Sequence, residues 1–109
     1  MKLGVIEYID CAHYLPGHKK CGTLHGHTYR IEVTIEGENK TGMIIDFGDL
    51  KGLLREAISL YDHRSFNDFL EYPSVENICE MIHRKLGEHL HLPFAVRVWE
   101  GKGKWAEMG

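Results

Sequence analysis

The strongest constraint on the fold is a stretch, residues 25–36, in which buried-type and polar side chains alternate without interruption. Successive residues of a β-strand point to opposite faces, so this alternation predicts a strand with one face in the core. The residues that share the face expected to be buried are His25, His27, Tyr29, Ile31, Val33 and Ile35. Two histidines therefore begin the inward face of the most clearly patterned strand.

The remaining elements follow from local pattern. Residues 3–12 are rich in β-formers and predict a first strand, and residues 14–24, with a proline and two glycines, predict a loop. After a turn at 37–42 and an apolar lead at 43–47, helical spacing is shown by Leu50, Leu53, Leu54, Ala57 and Ile58.

A loop over 61–73 leads to a second helix, for which Ser74 is the expected N-cap and Glu76 the acid of the first turn. Its apolar face is expected to contain Val75, Ile78, Cys79, Ile82 and Leu86. Alternation then predicts strands at Phe94–Trp99 and at Lys104–Met108, the last at a sheet edge.

The order ββααββ predicts one α+β domain over residues 1–109, an antiparallel four-stranded sheet with two helices on one face. Such a sheet has two open edges, which must be covered or paired. Pairing between subunits is one solution, and it would create ligand sites larger than one small domain can enclose.

Composition narrows the function classes. The net charge of −3 argues against nucleic-acid binding, which needs a surplus of cations. No apolar run approaches the length of a bilayer span, and Glu7 and Asp10 interrupt the segment that a signal peptide would need apolar, so we expect a cytoplasmic protein. The three cysteines do not suggest a disulfide framework; Cys11 and Cys79 are expected to pack in the core.

The chain has eight histidines, of which three suggest a metal site. His25 and His27 point the same way on one strand, and His13 ends the strand expected to pair with it. Three imidazoles with a fourth position open are typical of catalytic zinc, although copper and nickel also accept such ligands. Against this, His-x-His pairs are common without metal; His83, His89 and His91 are expected to be merely exposed.

Two further features suggest acid–base chemistry. Cys21 lies in a glycine-flanked loop beside basic residues, which favour the reactive thiolate. It is a candidate base or nucleophile, or alternatively a fourth zinc ligand. Asp62 precedes His63, and a carboxylate can orient an imidazole and raise its basicity, but such a dipeptide also fits a solvated loop.

In combination these residues resemble the 6-pyruvoyl-tetrahydropterin synthase family. The resemblance runs from about residue 5 to residue 100 and is closest to the 6-carboxy-tetrahydropterin synthase branch of queuosine biosynthesis. The segments that carry it are Ala12-His13, Cys21-Gly22-Thr23-Leu24-His25-Gly26-His27, Ile45-Asp46-Phe47, Asp62-His63, Pro73-Ser74-Val75-Glu76-Asn77 and Glu100. Two positions depart from the family: Ser74 replaces the usual threonine, and Gly101 follows Glu100 where threonine is common.

The resemblance implies the tunnelling fold, in which subunits join edge to edge into a trimeric barrel, often stacked as a hexamer, with active sites between subunits. It implies zinc on His13, His25 and His27, a catalytic thiol at Cys21 and a proton relay at Asp62 and His63. Glu100 would anchor the pterin ring, and Ser74 and Glu76 would contribute to substrate binding.

The implied substrate is 7,8-dihydroneopterin triphosphate, with His18, Lys19, Lys20 and Arg64 as candidates to steer its phosphates. One implied product set is 6-carboxy-tetrahydropterin, acetaldehyde and triphosphate. A pyruvoyl-forming synthase without carbon–carbon cleavage would share every residue named, and a non-enzymatic zinc protein closed by Cys21 is a third possibility. An aldolase-like branch carries glutamate at the position of the loop cysteine, so Cys21 argues against it.

Overall fold

A computed structural model describes residues 1–109 and gives the order ββααββ. The strands are β1 (Lys2–His13), β2 (His25–Glu36), β3 (Phe94–Glu100) and β4 (Lys104–Met108), and the helices are α1 (Phe47–Ile58) and α2 (Val75–Gly87). Each strand pairs antiparallel with the next in one sheet of order β1-β2-β3-β4. The predicted α+β architecture is confirmed. Neither helix has the length and apolar composition that a bilayer crossing requires.

The alternation of β2 sets the inner face of the sheet. Tyr29, Ile31, Val33 and Ile35 are fully buried, as are Val96 and Val98 on β3. The helices cover this face with apolar side chains at helical spacing: Leu50, Leu54, Ala57, Ile58, Ile78, Cys79, Ile82 and Leu86. Cys11 and Cys79 are buried, as predicted.

The helix starts follow from their caps. The Asp46 carboxylate accepts from the backbone N–H groups of Gly48 and Asp49, so α1 begins at Phe47, which the sequence had assigned to the lead before the helix. Ser74 caps α2 by accepting from the N–H of Asn77, as predicted. A short 3₁₀ turn at Phe66–Asp68 within the predicted loop was missed; the Ser65 side chain caps it and its buried Phe66 holds it against the core.

The outer edge of β1 is open along its first half and covered along its second. The loop after α1 docks there: the N–H of Ala12 donates to the carbonyl of Arg64 (3.0 Å), and the N–H of His63 donates to that of Asp10 (2.7 Å). The other sheet edge is β4, with no further strand beside it. The structure therefore retains two sheet edges able to pair with another chain.

Candidate metal centre and surrounding site

Strand register brings the three predicted metal ligands together. His13 is the direct partner of His25 across β1 and β2, and His27 follows His25 on the same face. One ring nitrogen of each imidazole lies within 4.8 Å of those of the other two. Ring centroids are 4.6 Å apart for His13 and His25 and 4.8 Å for His25 and His27. The predicted convergence is present in a single chain.

Backbone carbonyls orient two of these rings. Nδ1 of His13 lies 2.8 Å from the carbonyl oxygen of Pro73, and Nδ1 of His25 lies 2.7 Å from that of Thr23. A carbonyl only accepts, so each Nδ1 carries the proton and each Nε2 keeps its lone pair. Fixing a ring through its second nitrogen is the usual support of a metal-ligating histidine.

The free nitrogens are buried. His13 is 1% exposed, and Nε2 of both His13 and His27 has no hydrogen-bond partner. Burial lowers the pKa of His27, and the neighbouring imidazoles act in the same direction, while Glu100 opposes them. Neutral imidazoles with converging, unpartnered lone pairs are the donor set that zinc accepts.

Glu100, at the end of β3, lies beside this centre. One carboxylate oxygen is 3.5 Å from Nε2 of His27 and the other is 3.9 Å from Nε2 of His13. The Lys104 ammonium is 3.2 Å from the first oxygen. The carboxylate, whose side chain is 13% exposed, is thus held between two of the predicted metal ligands and a cation.

Cys21 shares a cavity with the centre. A cavity of about 290 Å³ is lined by Cys21, His25, His27 and Glu100, with Lys20 and Lys104 among its other residues. The N–H of Cys21 donates to Nδ1 of His18 (2.9 Å), which orders this loop. The thiol is not part of the cluster of three ring nitrogens that could hold a metal, and Cys21 lines the cavity next to that cluster.

Asp62 and His63 contact each other, and His63 lines a different cavity from Cys21. Nδ1 of His63 is 3.0 Å from Oδ1 of Asp62, which also accepts from the N–H of Asp10 (2.9 Å). His63 has a positive φ of 62°, uncommon outside glycine, and its side chain is 78% exposed. Its cavity of about 560 Å³ also contains Asp10 and Thr28 but neither Cys21 nor Glu100, and His27 borders both cavities. Within one chain the predicted relay and the predicted thiol are therefore not brought into one pocket.

The other predicted site residues vary in position. Ser74 is half-buried and its hydroxyl is engaged in the α2 cap, whereas Glu76 is exposed. Neither borders the cavity that contains Cys21. The expectation for His83 was wrong: it is half-buried and its ring stacks on Phe94, with centroids 4.5 Å apart, while His89 and His91 are exposed as expected.

Sequence reasoning missed Tyr29 and Lys104 as neighbours of the site. Tyr29 is fully buried, its ring packs edge-on against His27 at 5.8 Å, and its hydroxyl has no hydrogen-bond partner. Burial, followed by the Glu100 charge, raises the pKa of this phenol, which stays neutral. Its place two residues after His27 was a usable signal; Lys104 offered none, because its proximity depends on the β3–β4 register.

The chain resembles known proteins over nearly its whole length. The family model described as 6-pyruvoyl tetrahydropterin synthase matches residues 2–109. A protein of Archaeoglobus fulgidus, provisionally named 6-carboxy-5,6,7,8-tetrahydropterin synthase, is 43% identical over 109 residues, covering 99% of this chain and 95% of that protein. The dihydroneopterin monophosphate aldolase of Pyrococcus furiosus is 36% identical over 81 residues, covering 72% and 71%. In fold, the 6-pyruvoyl tetrahydropterin synthase of Caenorhabditis elegans matches with a TM-score of 0.87 at 20% identity, covering 99% of this chain and 94% of that one.

Proposed function

Since the chain belongs to the 6-pyruvoyl tetrahydropterin synthase family, we propose that it is a zinc-dependent lyase acting on 7,8-dihydroneopterin triphosphate. The products are 6-carboxy-5,6,7,8-tetrahydropterin, acetaldehyde and triphosphate, and the pathway served is queuosine or related deazapurine biosynthesis. The observation that carries the proposal is the convergence of His13, His25 and His27 on one point beside a cavity that contains a thiol and a carboxylate.

The three histidines would hold the metal through ring nitrogens, with the unpartnered Nε2 atoms of His13 and His27 among them. When bound, zinc acts as a Lewis acid that polarises the side-chain oxygens of the substrate. Pro73 and Thr23 keep two rings in the required tautomer through their carbonyls. Three protein ligands would leave the metal able to accept an oxygen of the substrate.

Cys21 and Glu100 act from the same cavity. The Cys21 thiolate removes a proton from the carbon chain of the substrate, and Lys20 lines the same cavity. The Glu100 carboxylate accepts hydrogen bonds from the 2-amino group and N3–H of the pterin ring. Cys21 thus abstracts the proton, and Glu100 anchors the pterin ring.

Asp62 and His63 form the second proton-transfer group. Asp62 accepts from Nδ1–H of His63, which leaves Nε2 free to give or take a proton. Because His63 borders a different cavity from Cys21, the complete site requires a second subunit to bring its own Asp62–His63 pair to the thiol. The open part of β1 and the β4 edge are suited to such pairing, so we place the site between subunits of a trimer or hexamer. Ser74 and Glu76, at the start of α2, are proposed to contact the substrate.

Cys21→Ala tests the enzyme against a non-enzymatic zinc protein. We expect retained zinc and fold with turnover reduced at least 100-fold, which is the scale of positioned proton transfer. Cys21→Ser is the matched control, because it removes the thiol while keeping a side chain of similar volume. Loss of zinc together with stability would identify the thiol as a ligand and overturn the catalytic assignment.

Product identification tests the reaction itself. The zinc-loaded protein is incubated with 7,8-dihydroneopterin triphosphate, and the products are analysed by mass spectrometry. Acetaldehyde with 6-carboxy-tetrahydropterin supports the proposal. Triphosphate release without acetaldehyde would instead identify the pyruvoyl-forming reaction, and an intact triphosphate would exclude both.

A further inference from the structure

Lys104 is directly opposite Glu100 across β3 and β4, and its ammonium reaches the Glu100 carboxylate. Directly opposed residues of an antiparallel pair project from the same face of the sheet, with Cβ atoms about 4.5–5.5 Å apart. Both side chains therefore project into the cavity that also contains Cys21, His25 and His27. The cation is thus a part of the candidate site itself.

The pair offers two kinds of hydrogen-bonding group side by side. Glu100 can only accept, and Lys104 can only donate. Its ammonium is 3.2 Å from one carboxylate oxygen, so a ligand bound to that oxygen also meets a donor next to it. This arrangement is complementary to a lactam edge, in which an N–H donor is adjacent to a carbonyl acceptor.

We propose that Lys104 is a specificity-determining residue that donates a hydrogen bond to the 4-oxo group of the pterin ring while Glu100 accepts from N3–H and the 2-amino group. This inference rests on the proposed pterin-anchoring role of Glu100. A 2,4-diaminopteridine carries a donor in place of the 4-oxo acceptor and so places an amino group against the ammonium, and it also lacks the N3 proton that Glu100 accepts. The site therefore selects 4-oxo over 4-amino rings.

The competing interpretation is an ordinary surface ion pair. The Lys104 side chain is 72% exposed, and exposed pairs contribute little to stability. That interpretation predicts no effect of Lys104 on ligand preference, which makes the two interpretations separable by binding measurements.

The experiment compares 6-hydroxymethylpterin with 2,4-diamino-6-hydroxymethylpteridine, which differ in the C4 substituent and in the proton on N3. Glu100 senses the N3 difference in every variant, so the change in the preference between variants reports the contribution of Lys104. Their dissociation constants are measured by fluorescence on the full zinc-loaded chain. The wild type should prefer the 4-oxo ligand by about tenfold, the scale of one charge-assisted hydrogen bond in a partly hydrated site. Lys104→Met should reduce that ratio at least fivefold, and Lys104→Arg, which keeps a cationic donor, should preserve it.

Lys102→Met is the matched control. Lys102 is an exposed lysine in the turn between β3 and β4, two residues before Lys104. It borders a cavity with Tyr8 and Trp99 and does not border the cavity with Cys21. This variant should keep the wild-type ratio. An unchanged ratio in Lys104→Met would overturn the inference while leaving the proposed function standing, whereas a wild-type protein that binds neither pteridine would overturn both.

Discussion

Replacing Glu100 with glutamine separates ring anchoring from metal binding. The change keeps the shape of the side chain and removes its charge. The carboxylate is only 13% exposed, so its hydrogen bonds to a ligand are largely shielded from water. Hydrogen bonds to a charged group contribute about 1.5–3 kcal/mol each and neutral ones about 0.5–1.5 kcal/mol.

Two ligand hydrogen bonds therefore lose about 2–3 kcal/mol in Glu100→Gln, which corresponds to pterin binding weakened roughly 30- to 150-fold. Zinc affinity should change less than about threefold, because the ligand set is the three imidazoles. Pterin binding is measured by fluorescence titration, and zinc affinity by competition with a chromogenic chelator.

Glu107→Gln is the control, because it makes the same chemical change at a different place. Glu107 on β4 pairs with Arg97 on β3 and not with the histidines. It should alter neither affinity. Equal losses of zinc and pterin affinity in Glu100→Gln would refute the reasoning, since they would make the carboxylate a metal ligand.

Three further outcomes follow from the same site. Zinc at 100 times its dissociation constant should stabilise the chain by about 2.7 kcal/mol and raise Tm by roughly 10–20 °C, whereas magnesium should not; calorimetry checks this. Since burial holds the pKa of His27 below its ordinary 6.5, the unfolded chain binds a proton on this residue more tightly than the folded chain does. The metal-free protein should therefore lose stability as pH falls below 6.5, and His27→Gln should lose less. Urea unfolding at several pH values measures this loss, and an equal loss in both proteins would contradict the prediction. Tyr29→Phe removes a buried hydroxyl that has no partner, so the metal-free variant should be up to about 1 kcal/mol more stable on urea unfolding, and a destabilised variant would mean that the hydroxyl is satisfied.

The sequence was sufficient for the four strands, the two helices and the convergence of the three histidines, because these depend on local pattern. Alternation on β2 set the side on which His25 and His27 point, and the antiparallel pairing of two successive strands made His13 their neighbour. The Ser74 cap was likewise a matter of residue type and position. None of these inferences needed long-range packing.

Other contacts depend on how distant segments dock. The geometry of the Asp62–His63 contact is fixed by two hydrogen bonds to the backbone of Asp10 on β1. The N–H of Asp10 donates to the carboxylate of Asp62, 52 residues away, and the N–H of His63 donates to the carbonyl of Asp10. Lys104 meets Glu100 only because the turn after β3 sets a register that opposes them. The stacking of His83 on Phe94 depends on how α2 lies over β3. Residue type and spacing carry no information about these arrangements.

Zinc-edge X-ray absorption on the loaded protein tests the central claim most directly, that three imidazoles bind one metal and leave a position for substrate. The account predicts one zinc per chain, nitrogen or oxygen neighbours at about 2.0–2.1 Å, and an added pterin changing that shell. A sulfur neighbour at about 2.3 Å, or a shell that no ligand alters, would contradict it, because the thiol would then close the site.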